Sequence, residues 1–497
     1  MTRAILVFLL IGLVCHEATG QSVKVPWLAF NGGGTRPGIN YNETTISAQN
    51  VDQLALRWKQ AIPDTVDSAA VLFPDVTLAD GATADLLVLN GRKAGVLMAL
   101  NAGNGSLVWQ NVITPSSGGG CGIGQYTKST PVIDPSGLFV YDYRLDGAVH
   151  KYHLANGTEA AAGLGFPAVG TLVPKLEQGS SSLNLINGVL YMTISGYNGD
   201  CGHYVGHVVS VELSTGRTGV WNSLCSDLRH LLTSDKTAPN YCPEKESGIW
   251  ARSGAVEEPL DGTVYVATGN GEFDGTTMWG DTLVKLAAGL PDDSQQQVMV
   301  DTYTPEDYEA MDKFDEDLGS TAPCLLPPQP SSKTPHMLLQ ASKDQVVRLI
   351  DRTNLSGRGC CGNVGGQVYN ISFPPGGYVL TAPVAWQDPS SGLTLIFVAG
   401  LKGFVCFSLQ TDAAGASSLA VEYQLPVEGT SPFLANGVLY LQTSNLMLAL
   451  DPPTGKTLWQ FSGSGSLHMQ SPIVVNGDLY SLDNSGNAYA FGIPPLV

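Results

Sequence analysis

SPFLANGVLY (Ser431–Tyr440) and, forty residues later, SPIVVNGDLY (Ser471–Tyr480) are two copies of one phrase, and SLNLINGVLY (Ser182–Tyr191) is a looser third. Each copy is a short apolar run, an Asn-Gly pair and a second apolar run. That pattern predicts two antiparallel strands joined by a two-residue turn with positive φ at both positions. Between such phrases stand Ala99–Trp109 (ALNAGNGSLVW), Val211–Trp221 (VELSTGRTGVW) and Ala449–Trp459 (ALDPPTGKTLW), in which a further strand runs through a Gly turn to a Trp. Four short strands at a period near forty are the pattern of a β-propeller. A single unit cannot bury both of its faces, so the units must pack side by side in a ring.

Working outward, eight such units are expected, near 67–91, 129–152, 180–214, 252–270, 335–351, 380–409, 430–451 and 470–490. The fold class is therefore all-β, an eight-bladed β-propeller of four-stranded antiparallel blades. Apolar runs such as Leu393–Ala399 favour strands over long helices. Two stretches break the rhythm: Cys225–Ser247, a polar loop with two cysteines, and Pro291–Pro335, acidic and then Pro-rich. Long insertions on a repeat scaffold gather on one face and carry function. A strand near the N-terminus is expected to pair with the last blade and remove the free sheet edge.

Charged residues are 14% of the 497, with 58 glycines and 30 prolines, as tight turns and buried sheet faces require. A formal charge of −19 argues against nucleic acid and anionic membrane surfaces as partners. Residues 1–20 read as a secretory signal: Arg3, an apolar core Ala4–Val14 and the small residues Ala18-Thr19-Gly20. The core is too short to span a bilayer, and no later run is long enough. The expected mature chain, residues 21–497, is one exported, secreted propeller domain. Eight cysteines remain beyond the signal, an even number that favours disulfides without fixing their pairing. Glycosylation sequons stand at Asn42, Asn104, Asn156, Asn354 and Asn370. No CxxCH motif for covalent haem is present, and His203 and His207, about 13 Å apart along one strand face, do not read as a zinc pair.

Trp27–Trp58 (WLAFNGGGTRPGINYNETTISAQNVDQLALRW) resembles the opening of the quinoprotein alcohol dehydrogenases. Gly248–Asp274 (GIWARSGAVEEPLDGTVYVATGNGEFD), Trp279–Leu286 (WGDTLVKL), Tyr303–Pro323 and Ala341–Asn354 are similar to their central blades. The likeness spans about residues 26–492 and is nearest to the polyvinyl-alcohol-dehydrogenase-like, PQQ-repeat branch. It implies pyrroloquinoline quinone (PQQ) and calcium in the central channel, an alcohol or sugar substrate and an external electron acceptor. By motif position it makes Trp250 the floor beneath the quinone and Asn270, in TGN, a calcium ligand. It makes Asp312 or Asp315 the catalytic carboxylate, with Asp312 also near the metal, and Lys343 the base-to-quinone contact.

The residue types suit that chemistry. A carboxylate accepts the alcohol proton, calcium takes oxygen ligands, and an ammonium stabilises a developing alkoxide. Each residue also has a structural reading. Trp250 could be a blade-packing Trp like Trp109, Trp221 and Trp459, and Asn270 a left-handed turn residue. Asp312, Asp315 and Asp317 could be a solvated loop, and Lys343 part of a β-turn. The pattern departs from the family in two places. The calcium-binding Glu has no counterpart in Thr193–Val208, where Asp200 and Cys201 stand nearest, and the adjacent pair Cys360-Cys361 comes late in the chain. The alternative reading is a propeller that binds a protein or glycan at its channel mouth.

Overall fold

The computed structural model describes residues 23–113, 119–291, 297–355, 363–463 and 470–495; the expected signal, residues 1–20, and Cys360-Cys361 lie outside them. Eight sheets follow one another along the chain, each built on four antiparallel strands, with a fifth strand in blades 3 and 7 and the last blade completed across the seam. Blades 1 to 8 cover residues 71–112, 132–169, 177–222, 256–303, 324–372, 384–425, 433–462 and 473–492, the last completed from the N-terminus. Ala55–Ala61 forms the outer strand of blade 8, antiparallel to Asn487–Gly492, so the ring closes as expected. Blade 3 has an additional inner strand, and Ile39–Asn40 adds a parallel strand to Phe433–Ala435 of blade 7.

The quoted phrase folds as its chemistry demands. Asn436 and Gly437 have φ of 45° and 72°, Asn476 and Gly477 of 55° and 82°, and Asn187 and Gly188 of 50° and 80°. Both residues of each pair are left-handed, the conformation that lets a two-residue turn follow the strand twist. The repeated Trp is a clasp between neighbouring blades. Trp109 Nε1 of blade 1 donates to Leu154 O of blade 2 at 2.8 Å, and Trp58 Nε1 of blade 8 to Ala102 O of blade 1 at 2.9 Å. A Cβ on Gly157 would lie 2.3 Å from the Trp109 ring, and one on Gly105 2.7 Å from Trp58. The Gly of each Gly turn is thus needed both for its positive φ and to seat the indole.

The segment before the first blade crosses the middle of the ring. Trp27 exchanges two 2.8 Å backbone bonds with Leu72 of blade 1, and its ring packs 5.1 Å from Phe433 of blade 7. Phe30 is buried with Ala69 and Ala382. The buried Arg36 guanidinium donates to Phe30 O (2.7 Å), Leu183 O (2.6 Å) and Ser253 O (3.0 Å). This strap thus contacts residues in or next to blades 1, 3, 4, 6 and 7.

Among the described residues the one α-helix, Tyr308–Phe314, lies in the acidic excursion between blades 4 and 5. Cys225 and Cys242 form a disulfide that closes the other irregular loop, and Cys121 pairs with Cys201. No helix of the described residues is long and apolar enough to cross a membrane.

Candidate functional site

A cavity of about 410 Å³ opens within the ring, walled from blade 2 (Lys128) through blades 3 and 4 to blade 6 (Tyr378). Trp250, Asn270, Asp315, Lys343 and Asp200 all line it, as does Asp317. Asp312 does not: it is exposed on the short helix, away from the cavity wall.

Backbone geometry explains this convergence. Trp250 sits on the stretch leading into blade 4, pinned where Gly269 N–H donates to Gly248 O at 2.8 Å. Half-buried and facing the cavity, Trp250 differs from the clasp residues Trp58, Trp109 and Trp459. Asn270 follows the strand Val264–Ala267, and its C=O accepts Ser247 N–H at 2.7 Å. The left-handed reading of Asn270 does not hold, because the positive φ at this turn (156°) belongs to Gly271. The Asn270 side-chain amide makes no hydrogen bond with the described residues and remains available to a ligand. Asp315 caps the helix in left-handed conformation (φ 55°), which turns the chain back so that Asp317 points inward.

Asp317 is the buried centre of the site, 4% exposed. One carboxylate oxygen accepts Asn270 N–H at 2.8 Å, and the other receives Lys343 Nζ at 2.6 Å. A Cβ on Gly269 would lie 2.2 Å from Asp317 Oδ1, so only glycine leaves room for this carboxylate. Burial pushes the Asp317 carboxyl up, against the pull of Lys343 and Asn270 N–H, to about 6. Lys343 also reaches Asp315 at 2.7 Å and stands 5.7 Å from the ring centres of both Trp250 and Tyr378. Burial lowers its ammonium, but Asp317 and Asp315 outweigh that and hold it above its ordinary value.

The motif alignment pointed to Asp312 or Asp315; burial and the Asn270 contact single out Asp317, which the same acidic run contains. Sequence reasoning missed Lys128 and Tyr378, which reach the cavity from blades 2 and 6, far from any motif. Burial pushes Lys128 down to about 8, with Arg92 and Arg252 adding to the effect and Asp67 opposing it.

A planar aromatic ligand fits these residues, with aromatic faces at Trp250 and Tyr378 and a cation beside both. Calcium does not fit them as they stand. It takes six to eight oxygens, several of them carboxylate. Asp317 is already paired with the Lys343 ammonium, and Asp200, exposed at the rim, accepts Tyr204 OH at 2.7 Å. No three Asp, Glu, His or Cys side chains converge as a metal site among the described residues.

No protein-family model matches the sequence, and no curated protein matches it. Solved structures do match in fold. A quinohemoprotein alcohol dehydrogenase from Pseudomonas putida superposes with a TM-score of 0.63 at 13% identity, covering 95% of this chain and 81% of that one. A europium-containing methanol dehydrogenase gives 0.64 at 14%, covering 94% and 98%. The quinohemoprotein alcohol dehydrogenase from Comamonas testosteroni gives 0.63 at 13%, covering 96% and 82%. The chain thus has the eight-bladed fold of the quinoprotein alcohol dehydrogenases its sequence resembles.

Proposed function

We propose that this protein is an exported oxidoreductase of the quinoprotein type, oxidising an alcohol or sugar in the cavity between blades 2 and 6. The observation that supports this most is the meeting of Trp250, Asn270, Asp317 and Lys343, carried by separate blades and loops, on one cavity. The two disulfides suit an oxidising compartment.

Trp250 and Tyr378 would hold a planar quinone such as PQQ by their faces, with the Asn270 amide and the Lys343 ammonium offering donors at its edge. Bound there, the quinone would supply the two-electron acceptor that no side chain provides. Asp317 is the base: held by Asn270 N–H and set near 6, it takes the hydroxyl proton of the substrate carbon being oxidised. Lys343 keeps that carboxylate ionised at neutral pH and places positive charge where an oxygen gains electron density. Asp315, 62% exposed, stands at the solvent side, where it steadies Lys343 without closing the site. Electrons would leave to an external acceptor, since the sequence has no CxxCH motif. No step runs through calcium.

The test is dye-linked oxidation of a panel of primary alcohols and sugars by the secreted protein after incubation with PQQ. Turnover that Asp317→Asn abolishes supports the reading. Silence across the panel, with capture of a glycan or a protein instead, would make the ring a binding module.

A further inference from the structure

We infer that the cavity holds its ligand without a divalent metal ion, the ammonium groups of Lys343 and Lys128 supplying the positive charge. The inference rests on the quinone reading above and concerns what replaces the metal that reading ordinarily brings.

Three observations carry it. The first is the donor set. Asp317 has one oxygen on Asn270 N–H and the other on Lys343. Asp200 is exposed at the rim and bound to Tyr204 OH. An ion on Asp317 would stand beside the Lys343 ammonium, and beyond Asp200 at the rim a single uncharged side chain, Asn270, is in reserve.

The second is charge balance. A calcium site concentrates carboxylates in excess of nearby cations. Here the one buried carboxylate facing the cavity, Asp317, is already matched by Lys343, and Asp315 and Asp200 are exposed. On the opposite wall Lys128 lines the cavity and forms no ion pair with a carboxylate among the described residues. Behind it lie Arg92 and Arg252, with Asp67 as the nearby acid. Further along the strap, Arg36 is bonded to carbonyls alone. The cavity wall therefore offers a dication no unpaired buried carboxylate and offers an anion the ammonium of Lys128.

The third is placement. The Lys343 ammonium lies 5.7 Å from both ring centres, at the edge of the space a planar ligand would fill. A point charge there polarises a ligand oxygen, as a metal ion would. Lys128, across the cavity, suits a carboxylate at the ligand's far end.

The test uses the secreted full-length protein, stripped with a chelator and titrated with PQQ by tryptophan fluorescence and absorbance, in chelator and in millimolar calcium. Calcium alone is titrated in parallel. The expected result is stoichiometric PQQ binding in chelator, with affinity within about twofold of that in calcium. Lys128→Met should weaken binding about tenfold in both media, with Lys128→Arg restoring it and the melting temperature reporting that each variant folds. PQQ binding that appears only with calcium, or stoichiometric calcium uptake lost in Asn270→Ala, overturns the metal-free inference and leaves the quinone reading standing. PQQ binding in neither medium overturns the quinone reading and, with it, this inference.

Discussion

Blades 7 and 8 and blades 4 and 5 are built on one plan and put to different use. Blades 7 and 8 are regular: Asn-Gly turns, inner strands Phe433–Ala435 and Ile473–Val475 fully buried, and a Trp clasp from Trp459 to Leu54 O. They contribute no residue to the wall of the main cavity. Blades 4 and 5 are interrupted by the acidic excursion, share a buried ion pair and carry Trp250, Asn270, Asp317 and Lys343. Apolar regularity maintains the ring, and its interruption brings charged groups to the axis. Changes in the first region should therefore register as stability, and changes in the second as chemistry.

The largest expected effect is at Asp317. Asp317→Asn keeps the size and the Asn270 contact but removes the base, so turnover should fall roughly 10³-fold with the fold intact. Turnover within tenfold of the parent, in dye-linked assays, would remove Asp317 from that role.

A stability effect nearly as large belongs to the seam between blades 4 and 5. Glu258 is buried, accepts from Arg352 with both oxygens and takes Tyr265 OH at 2.8 Å. Glu258→Ala strands the guanidinium and should cost about 3–5 kcal/mol in chemical denaturation. In the regular region Leu479→Ala, at a site 0% exposed, should cost about 2–5 kcal/mol while turnover per folded molecule stays unchanged. Lost turnover in Leu479→Ala at full folding would erase the contrast between the two regions.

Acidity separates the regions further. Because Asp317 must be ionised to act, activity should rise with pH through about 6. Its folded value lies above the ordinary carboxylate value, so the native state binds that proton more tightly. Asp317's contribution to stability is thus lost as pH climbs toward 6. The difference in melting temperature between parent and Asp317→Asn should follow that same window. A difference flat from pH 4 to 7 would deny the coupling. His150, buried between Asp146 and Glu159, shows the same sense at another place. Burial lowers it and the two carboxylates raise it further, so its stabilisation is present in acid and fades above neutrality, a contribution of about 1 kcal/mol or less to be read from His150→Gln melts.

A further small effect is at the turns. Asn476→Ala places Cβ without a polar side chain at φ 55° and takes two hydrogen bonds from Val25, costing roughly 1–2 kcal/mol without touching activity.

The ring was legible because its signals are local. Asn-Gly fixes a turn and alternation fixes a strand, each within a dozen residues. Much of the site was legible by motif, and Trp250, Asn270 and Lys343 do meet. Which of the acids is buried was not, because Asp312, Asp315 and Asp317 differ only in which way a helix and its left-handed cap turn them. Lys128 and Tyr378 reach the cavity from blades too far along the chain for spacing to reveal. The N-terminal strap was legible as the opening of the fold, but its simultaneous contacts with five blades were not.

The most direct test of the central claim is a crystal structure of the protein soaked with PQQ. Planar density is expected in the cavity, in contact with Trp250 and Lys343, with Asp317 facing the open space beside it. Density for the ligand only outside this cavity, with Trp250 and Lys343 untouched at full soaking concentration, would contradict it.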